Sequence, residues 1–208
     1  MTQQLDIWKS AFGEEWAKRN TNSQENINKR KMMFEMIFSK AEDLQKLTSV
    51  LEIGASIGTN LIALHELTNA NLLATEPNDF AFGELQKIPF LPKTNMTQET
   101  IFNMQFEDAS MDLVFTSGVL IHVTPDDLIK ATSEIVRISK KYVLCIEYFA
   151  HEPENIVYRG HKDLLFKRDF GSFYLDNHPD LSIQDYGFLW QPATGLGNMT
   201  WFLLKKQT

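Results

Sequence analysis

The chain has 208 residues, enough for one core that buries about 70% of its unfolded surface without staples. With 43% hydrophobic and 23% charged residues it reads as an ordinary globular protein, and its single cysteine, Cys145, excludes an internal disulfide. A formal charge of −7 gives no general attraction to phosphate backbones, which argues against nucleic acid as a partner.

The N-terminus, Met1-Thr2-Gln3-Gln4-Leu5-Asp6, lacks a basic stretch followed by an apolar one. No window approaches the roughly 18 apolar residues that span a bilayer, so a cytoplasmic location and no membrane partner are expected. Trp8, Phe12 and Trp16 recur at helical spacing, which places three rings on one helical face as core packing. Thr21-Asn22-Ser23 interrupts that pattern and offers N-caps, and a long helix is expected over 24–46. The period then changes. Ser49-Val50-Leu51-Glu52-Ile53 is a short apolar strand ending at a glycine turn, and a helix is expected from Asn60 to Leu67. Asn71-Leu72-Leu73-Ala74-Thr75 is a second strand stopped by Glu76-Pro77, and Phe80 to Gln86 a second helix. A third strand falls within 93–101, and Met111 to Thr116 is a fourth. Pro125 suits a first helical turn, with the apolar series Leu128 to Ile138 behind it. Lys141 to Glu147 is a fifth strand, in which Cys145 reads as a small buried hydrophobe.

Strands alternating with helices imply βαβ units and a mostly parallel sheet with helices on both faces; near-continuous apolar strands suit it. Ser182 to Trp190 and Met199 to Lys205 look like a closing antiparallel pair around Gly195-Leu196-Gly197.

The strongest signal is Val50-Leu51-Glu52-Ile53-Gly54-Ala55-Ser56-Ile57-Gly58-Thr59-Asn60-Leu61. Gly54 lets the backbone turn sharply toward a ligand, and Gly58 lets helix and strand pack closely. Glu52, just before the first glycine, would repel a pyrophosphate and suits the ammonium of an amino-acid tail. Glu76, at the tip of the second strand, can accept hydrogen bonds from both hydroxyls of a ribose. Asp112 to His122 brings a fourth strand end to the edge where open α/β sheets bind ligands. For each residue a plain structural role stands beside this one: a loop-capping acid, a solvated turn acid, a tight turn.

Together these residues resemble the class I S-adenosylmethionine-dependent methyltransferases, over about Val50 to Glu147. The resemblance implies a Rossmann-like α/β fold with a seven-stranded, mostly parallel sheet, S-adenosylmethionine as cofactor and S-adenosylhomocysteine as product. It implies cofactor contacts at Glu52, Gly54, Ala55, Ser56, Gly58, Asn60, Glu76, Pro77, Ser117 and Gly118, and adenine near Thr100 and Ile101. Ser56 departs from the usual three-glycine turn. Residues 47–208 would form the methyltransferase domain, and 1–46 a helical lid belonging to the same domain, in which Arg19 and Asn20 could fold over the cofactor's carboxylate. A second resemblance covers nearly the whole chain. Phe12 to Asn20, Ser117 to Asp126, Glu147-Tyr148-Phe149, Tyr158-Arg159-Gly160, Phe166 to Phe170, Asp185 to Phe188 and Thr200 to Leu204 are similar to the pseudaminic acid biosynthesis-associated methyltransferases. It implies a bacterial enzyme acting on a small acceptor, a sugar or nonulosonic acid-related metabolite.

His122 could take a proton from an acceptor hydroxyl, with a packing role as the plainer reading. Tyr148 and Arg159 are candidate acceptor contacts, and Arg168 could hold a carboxylate or phosphate. No histidine pairs with His122 at ligand spacing, so no metal is expected. Two alternatives remain: a nicotinamide-dependent reductase, which would share the turn and Glu76 but lacks a Tyr-x-x-x-Lys pair in a suitable helix, and a catalytically silent binding protein.

Overall fold

The computed structural model describes residues 3–39 and 46–207. They fall into two compact units, residues 1–100 and 101–208. Nine strands lie among the described residues, three in the first unit and six in the second.

In the first unit, α1 (Gln3–Lys9) and α2 (Ala11–Arg19) are separate helices. The single helical face expected for Trp8, Phe12 and Trp16 is therefore broken. Ser10 stops one helix, its hydroxyl donating to the Ile7 carbonyl at 2.7 Å, and starts the next by accepting from the Phe12 N–H at 3.3 Å. The rings still meet: Trp8 lies edge-on to Phe12 and Trp16, with centroids 5.3 and 5.9 Å apart. The corner also needs Gly13, where a Cβ would sit 1.9 Å from the Trp8 carbonyl oxygen.

Ser23 caps α3 (Gln24–Phe38), accepting from the Asn26 N–H at 3.3 Å. The helix ends well short of residue 46, and residues 40–45 of the expected helix lie outside the described residues. Strand β1 (Ser49–Ile53) leads to α4 (Thr59–His65), β2 (Asn71–Thr75) to α5 (Asp79–Leu85), and β3 is only Met96–Thr97. The order is β3-β2-β1, all parallel, in the register Ser49 to Asn71 and Ala74 to Met96. Val50 to Ile53 are all buried, as a strand covered on both faces requires.

In the second unit, β4 (Met111–Ser117) pairs parallel with β5 (Ser139–Glu147). Between them run a 3-10 turn, Leu120–His122, and α6 (Pro125–Ile138), capped by Thr124 with Pro125 in its first turn. The order is β4-β5-β9-β8, with β9 (Met199–Lys206) antiparallel to both β5 and β8 (Leu181–Leu189). The closing pair thus takes the expected antiparallel form. Two further elements stand where no structure is predicted from sequence: a hairpin of β6 (Glu154–Tyr158) and β7 (His161–Lys167), and α7 (Phe170–Asn177). A four-residue helix, α8 (Gln191–Thr194), precedes the loop to β9. Among the described residues no helix is long and apolar enough to cross a membrane. Cys145 is fully buried.

Candidate cofactor and acceptor sites

The turn after β1 is built from backbone that only a few residue types tolerate. Gly54 and Gly58 have φ of 71° and 79°, and Ser56 between them has φ of 50°. All three are left-handed, a region open to glycine and costly for serine. A Cβ on Gly58 would also meet Ile88 Cδ1 at 2.3 Å and Leu85 Cδ1 at 2.8 Å, so the close approach at Gly58 is to side chains at and just beyond the end of α5 rather than to a strand. The Gly54 and Ala55 N–H groups both donate to the Thr75 carbonyl, at 2.9 and 3.0 Å, fastening the turn to the end of β2.

Glu76 follows directly. One of its carboxylate oxygens accepts the Ser56 N–H at 2.7 Å and the other the Asn78 N–H at 2.8 Å. Burial pushes its carboxyl up to about 7, against the pull of the two backbone donors. Glu52, fully buried near the end of β1, accepts from the Asn60 side-chain amide at 2.6 Å. Burial raises it to about 8, opposed first by that hydrogen bond and then by the Arg30 charge. Its second oxygen, Oε2, has no hydrogen-bond partner, and neither do Asn60 Oδ1 and Ser56 Oγ, though all three atoms are buried. Buried acceptors without donors are costly, and a cluster of them beside a strained turn calls for a ligand bearing N–H or O–H groups. S-adenosylmethionine brings an ammonium and two ribose hydroxyls, so the residues present fit it.

Sequence reasoning misses two residues that brace this turn. Asn78 caps α5, its Oδ1 accepting from the Ala81 N–H at 3.1 Å, while its amide donates to the Trp8 and Ser10 carbonyls at 2.9 and 3.4 Å. Asn22 donates to the Ile57 carbonyl at 2.9 Å and accepts from the Thr59 hydroxyl at 2.6 Å. The N-terminal segment is thereby tied to the glycine turn, and Ala17 packs with Ile57 and Ala81. An asparagine just before a helical pattern is the only signal for Asn78 that the sequence carries. Arg19 is exposed at the last turn of α2. Asn20 is the C-cap, its amide donating to the Trp16 carbonyl at 2.8 Å. Pro77 follows Glu76 half-buried, and Thr100 lies just past β3.

In the second unit, Ile101 is buried, Ser117 ends β4, and Gly118, at φ of 70°, donates to the Ile146 carbonyl at 2.9 Å. Glu147 at the end of β5 receives three backbone donors: Val119 and Leu120 N–H on Oε1 at 3.1 and 3.0 Å, and Ile121 N–H on Oε2 at 3.3 Å. Burial lifts its carboxyl to about 7 against those bonds. Glu147 is absent from the site residues expected from sequence; its traces there are its place at the end of an apolar strand, as at Glu52, and in the Glu147-Tyr148-Phe149 motif.

The turn that Glu147 holds ends in His122. Its Nδ1 lies 2.6 Å from the Leu164 carbonyl oxygen of β7. A carbonyl only accepts, so Nδ1 carries the proton and Nε2 the lone pair. Burial lowers this imidazole to about 4, keeping it neutral near pH 7. Its ring is 5.7 Å from that of Tyr158. Arg159 and Gly160 form the two-residue turn of the β6–β7 hairpin, with φ of 50° and 83°, both left-handed as a type I′ turn demands. Arg159 is exposed and lies 5.6 Å from the Tyr158 ring centroid, while Tyr148 follows β5 directly. Among the described residues no group of histidine, cysteine and acidic side chains could hold a metal ion.

The fold is that of the Rossmann-like methyltransferases. The magnesium protoporphyrin IX methyltransferase of Synechocystis PCC 6803, solved with bound S-adenosylmethionine, superposes with a TM-score of 0.69 at 14% identity, covering 100% of this chain and 99% of that one. The 1,6-didemethyltoxoflavin-N1-methyltransferase of Burkholderia thailandensis, solved with 1,6-didemethyltoxoflavin and S-adenosylhomocysteine, gives 0.70 at 12%, covering 98% and 88%. An S-adenosylmethionine-dependent methyltransferase of Leishmania major gives 0.72 at 15%, covering 99% and 87%. Residues 50–142 match the family described as a methyltransferase domain. Comparison with curated proteins gives no match. The fold is thus shared with these methyltransferases, two of them solved with S-adenosylmethionine or S-adenosylhomocysteine bound, and the match to a methyltransferase domain spans under half of the chain.

Proposed function

We propose that the chain transfers a methyl group to a small acceptor hydroxyl, the acceptor being a sugar or a nonulosonic acid-related metabolite of a bacterial cell. The observation that carries the cofactor half is the pairing of a carboxyl that lacks a donor, Glu52 Oε2, with a carboxylate fixed by backbone N–H groups, Glu76. S-adenosylmethionine supplies an electrophilic methyl group on a sulfonium, so the protein's part is binding and alignment.

In the first unit Glu52 and Asn60 would receive the ammonium, with Gly54, Ala55, Ser56 and Gly58 shaping the turn around the amino-acid tail. Glu76 would accept the ribose hydroxyls beside Pro77. The family resemblance adds Arg19 and Asn20 toward the carboxylate, Thr100 and Ile101 toward adenine, and Ser117 and Gly118 as further contacts. In the second unit His122 takes the acceptor's proton at Nε2. The Leu164 carbonyl holds the required tautomer, and Glu147 holds the turn that carries the ring. Tyr148 and Arg159 contact the acceptor. Both glycoside-like hydroxyls and acidic groups suit such residues.

The test is incubation with methyl-labelled S-adenosylmethionine and a panel of free and nucleotide-linked sugars. The expected result is an O-methylated sugar, with its formation lost in His122→Phe while S-adenosylhomocysteine still binds. Label confined to protein or nucleic acid substrates would overturn the acceptor class.

A further inference from the structure

Several cations of this acidic chain lie against acids: Lys29 on Glu25 at 2.6 Å, Lys141 on Asp112 at 3.0 Å, and Arg137 on both Glu134 and Asp108. The two cations that close the β6–β7 hairpin do not. The Lys167 ammonium stands 5.8 Å from the Tyr148 ring centroid, and the Arg168 guanidinium 4.3 Å from that of Phe173. Among the described residues neither forms an ion pair, although Glu154 stands opposite Lys167 in the hairpin register. Asp169, the acid next to Arg168, spends its two oxygens on the Ser172 N–H and hydroxyl, at 2.9 and 2.8 Å. Arg168 Nε is buried with no hydrogen-bond partner. Gly197 leaves space beside Tyr148, since a Cβ there would sit 3.2 Å from the hydroxyl.

A guanidinium propped on an aromatic face, with a buried N–H unspent, is oriented at a cost that an anion would offset. A second cation seated on an aromatic ring one residue away gives the same preference. Burial also lowers the Arg168 guanidinium, and an incoming negative charge would reverse that.

We propose that Lys167 and Arg168 form an anion-recognition element, so that the acceptor carries an acidic group, a carboxylate or a phosphate. The proposal rests on the methyl-transfer reading for the word acceptor and extends it to a substrate class. The guanidinium offers parallel N–H donors to two oxygens of such a group, and the ammonium adds a point charge. A neutral sugar would leave Arg168 Nε unpaired.

The experiment is ligand-observed NMR and calorimetry on the S-adenosylhomocysteine complex with three related probes: glucuronate, glucose 6-phosphate and glucose. The expected result is that at least one acidic sugar binds about ten-fold or more tightly than glucose, with carboxylate or phosphate distinguished by which of the two does so. Arg168→Gln and Lys167→Gln should each weaken the acidic probe about ten-fold, Arg168→Lys should restore part of it, and S-adenosylhomocysteine affinity should stay unchanged in all three. Lys167→Gln keeps the test decisive should Arg168→Gln unfold, because the Lys167 side chain makes no hydrogen bond among the described residues and the substitution leaves the backbone pairing of the hairpin in place. Glucose binding as well as the acidic sugars, acidic sugars binding both variants as they bind wild type, or no acidic sugar binding at 10 mM would each overturn the proposal. Failure to bind S-adenosylhomocysteine on the same samples would instead sink the methyl-transfer reading and leave anion binding to stand by itself.

Discussion

The Glu76 carboxylate accepts the Ser56 N–H at 2.7 Å and so ties the tip of β2 to the glycine turn that follows β1. The bond makes the turn's shape depend on an acid twenty residues away. Glu76→Gln would set an amide N–H₂ against one of the two backbone donors, Ser56 or Asn78. A charge-assisted bond of this kind contributes about 1.5–3 kcal/mol, so S-adenosylhomocysteine affinity should fall about ten-fold or more. Calorimetry checks the affinity, and hydrogen exchange at Ser56 should accelerate in parallel.

Ser56 occupies left-handed backbone at φ of 50° with a buried hydroxyl that has no partner. Ser56→Gly removes both costs and adds back some entropy to the unfolded chain. The net expectation is a gain of up to about 1 kcal/mol, and Ser56→Val should lose more than that. Urea denaturation decides both.

Much of this turn is legible in the sequence. Apolar runs stopped by Gly54 and by Glu76-Pro77 mark β1 and β2, and the acids at their tips follow from that placement. The edge strand β3 is two residues long and carries almost no pattern. The hairpin escaped because β6 is largely exposed on both faces and its turn is Arg159-Gly160 rather than Asn-Gly. Helix α7 escaped because Phe170 to Asn177 is short and its apolar residues show no clean helical stripe. Asn22, Asn78 and Glu147 act on segments remote in sequence, and only the fold reveals whose N–H or carbonyl each one meets.

Glu147→Ala would strand three backbone donors of the turn that carries His122, at a site only 2% exposed. At about 1–3 kcal/mol for each buried unsatisfied donor, the loss should be at least about 3 kcal/mol. Glu147→Gln should cost less. NMR of the His122 imidazole should show it displaced in Glu147→Ala, while cofactor affinity changes little. An unmoved imidazole would remove Glu147 from its positioning role.

The pH dependence of stability between about pH 5.5 and 8 follows from five buried groups, three carboxyls and two imidazoles. Glu52, Glu76 and Glu147 have folded values of about 8, 7 and 7 against an ordinary 4.5. Their contribution is full below 4.5 and is lost as pH rises through 7 to 8, because the unfolded chain ionises first. His122 runs the other way: held at about 4 against 6.5, it costs stability as pH falls from 6.5 toward 4. Burial lowers the His178 imidazole too, in the same sense, and three carboxyls outweigh the two imidazoles, so the Tm of the ligand-free protein should fall between about pH 5.5 and 8. Glu52→Gln should flatten the slope, and a Tm that rises across this window contradicts the account.

Calorimetric titration of S-adenosylmethionine into the wild-type protein and into Glu52→Gln, in two buffers of different ionisation enthalpy at pH 7, tests the central claim most directly. Ammonium and ribose both favour ionised carboxyls, so wild-type binding should release protons and tighten as pH rises from about 6 to 8. Glu52→Gln should bind about ten-fold more weakly and release fewer protons. Equal affinity in the two proteins with no proton release, or binding of NADH in place of S-adenosylmethionine, would contradict it.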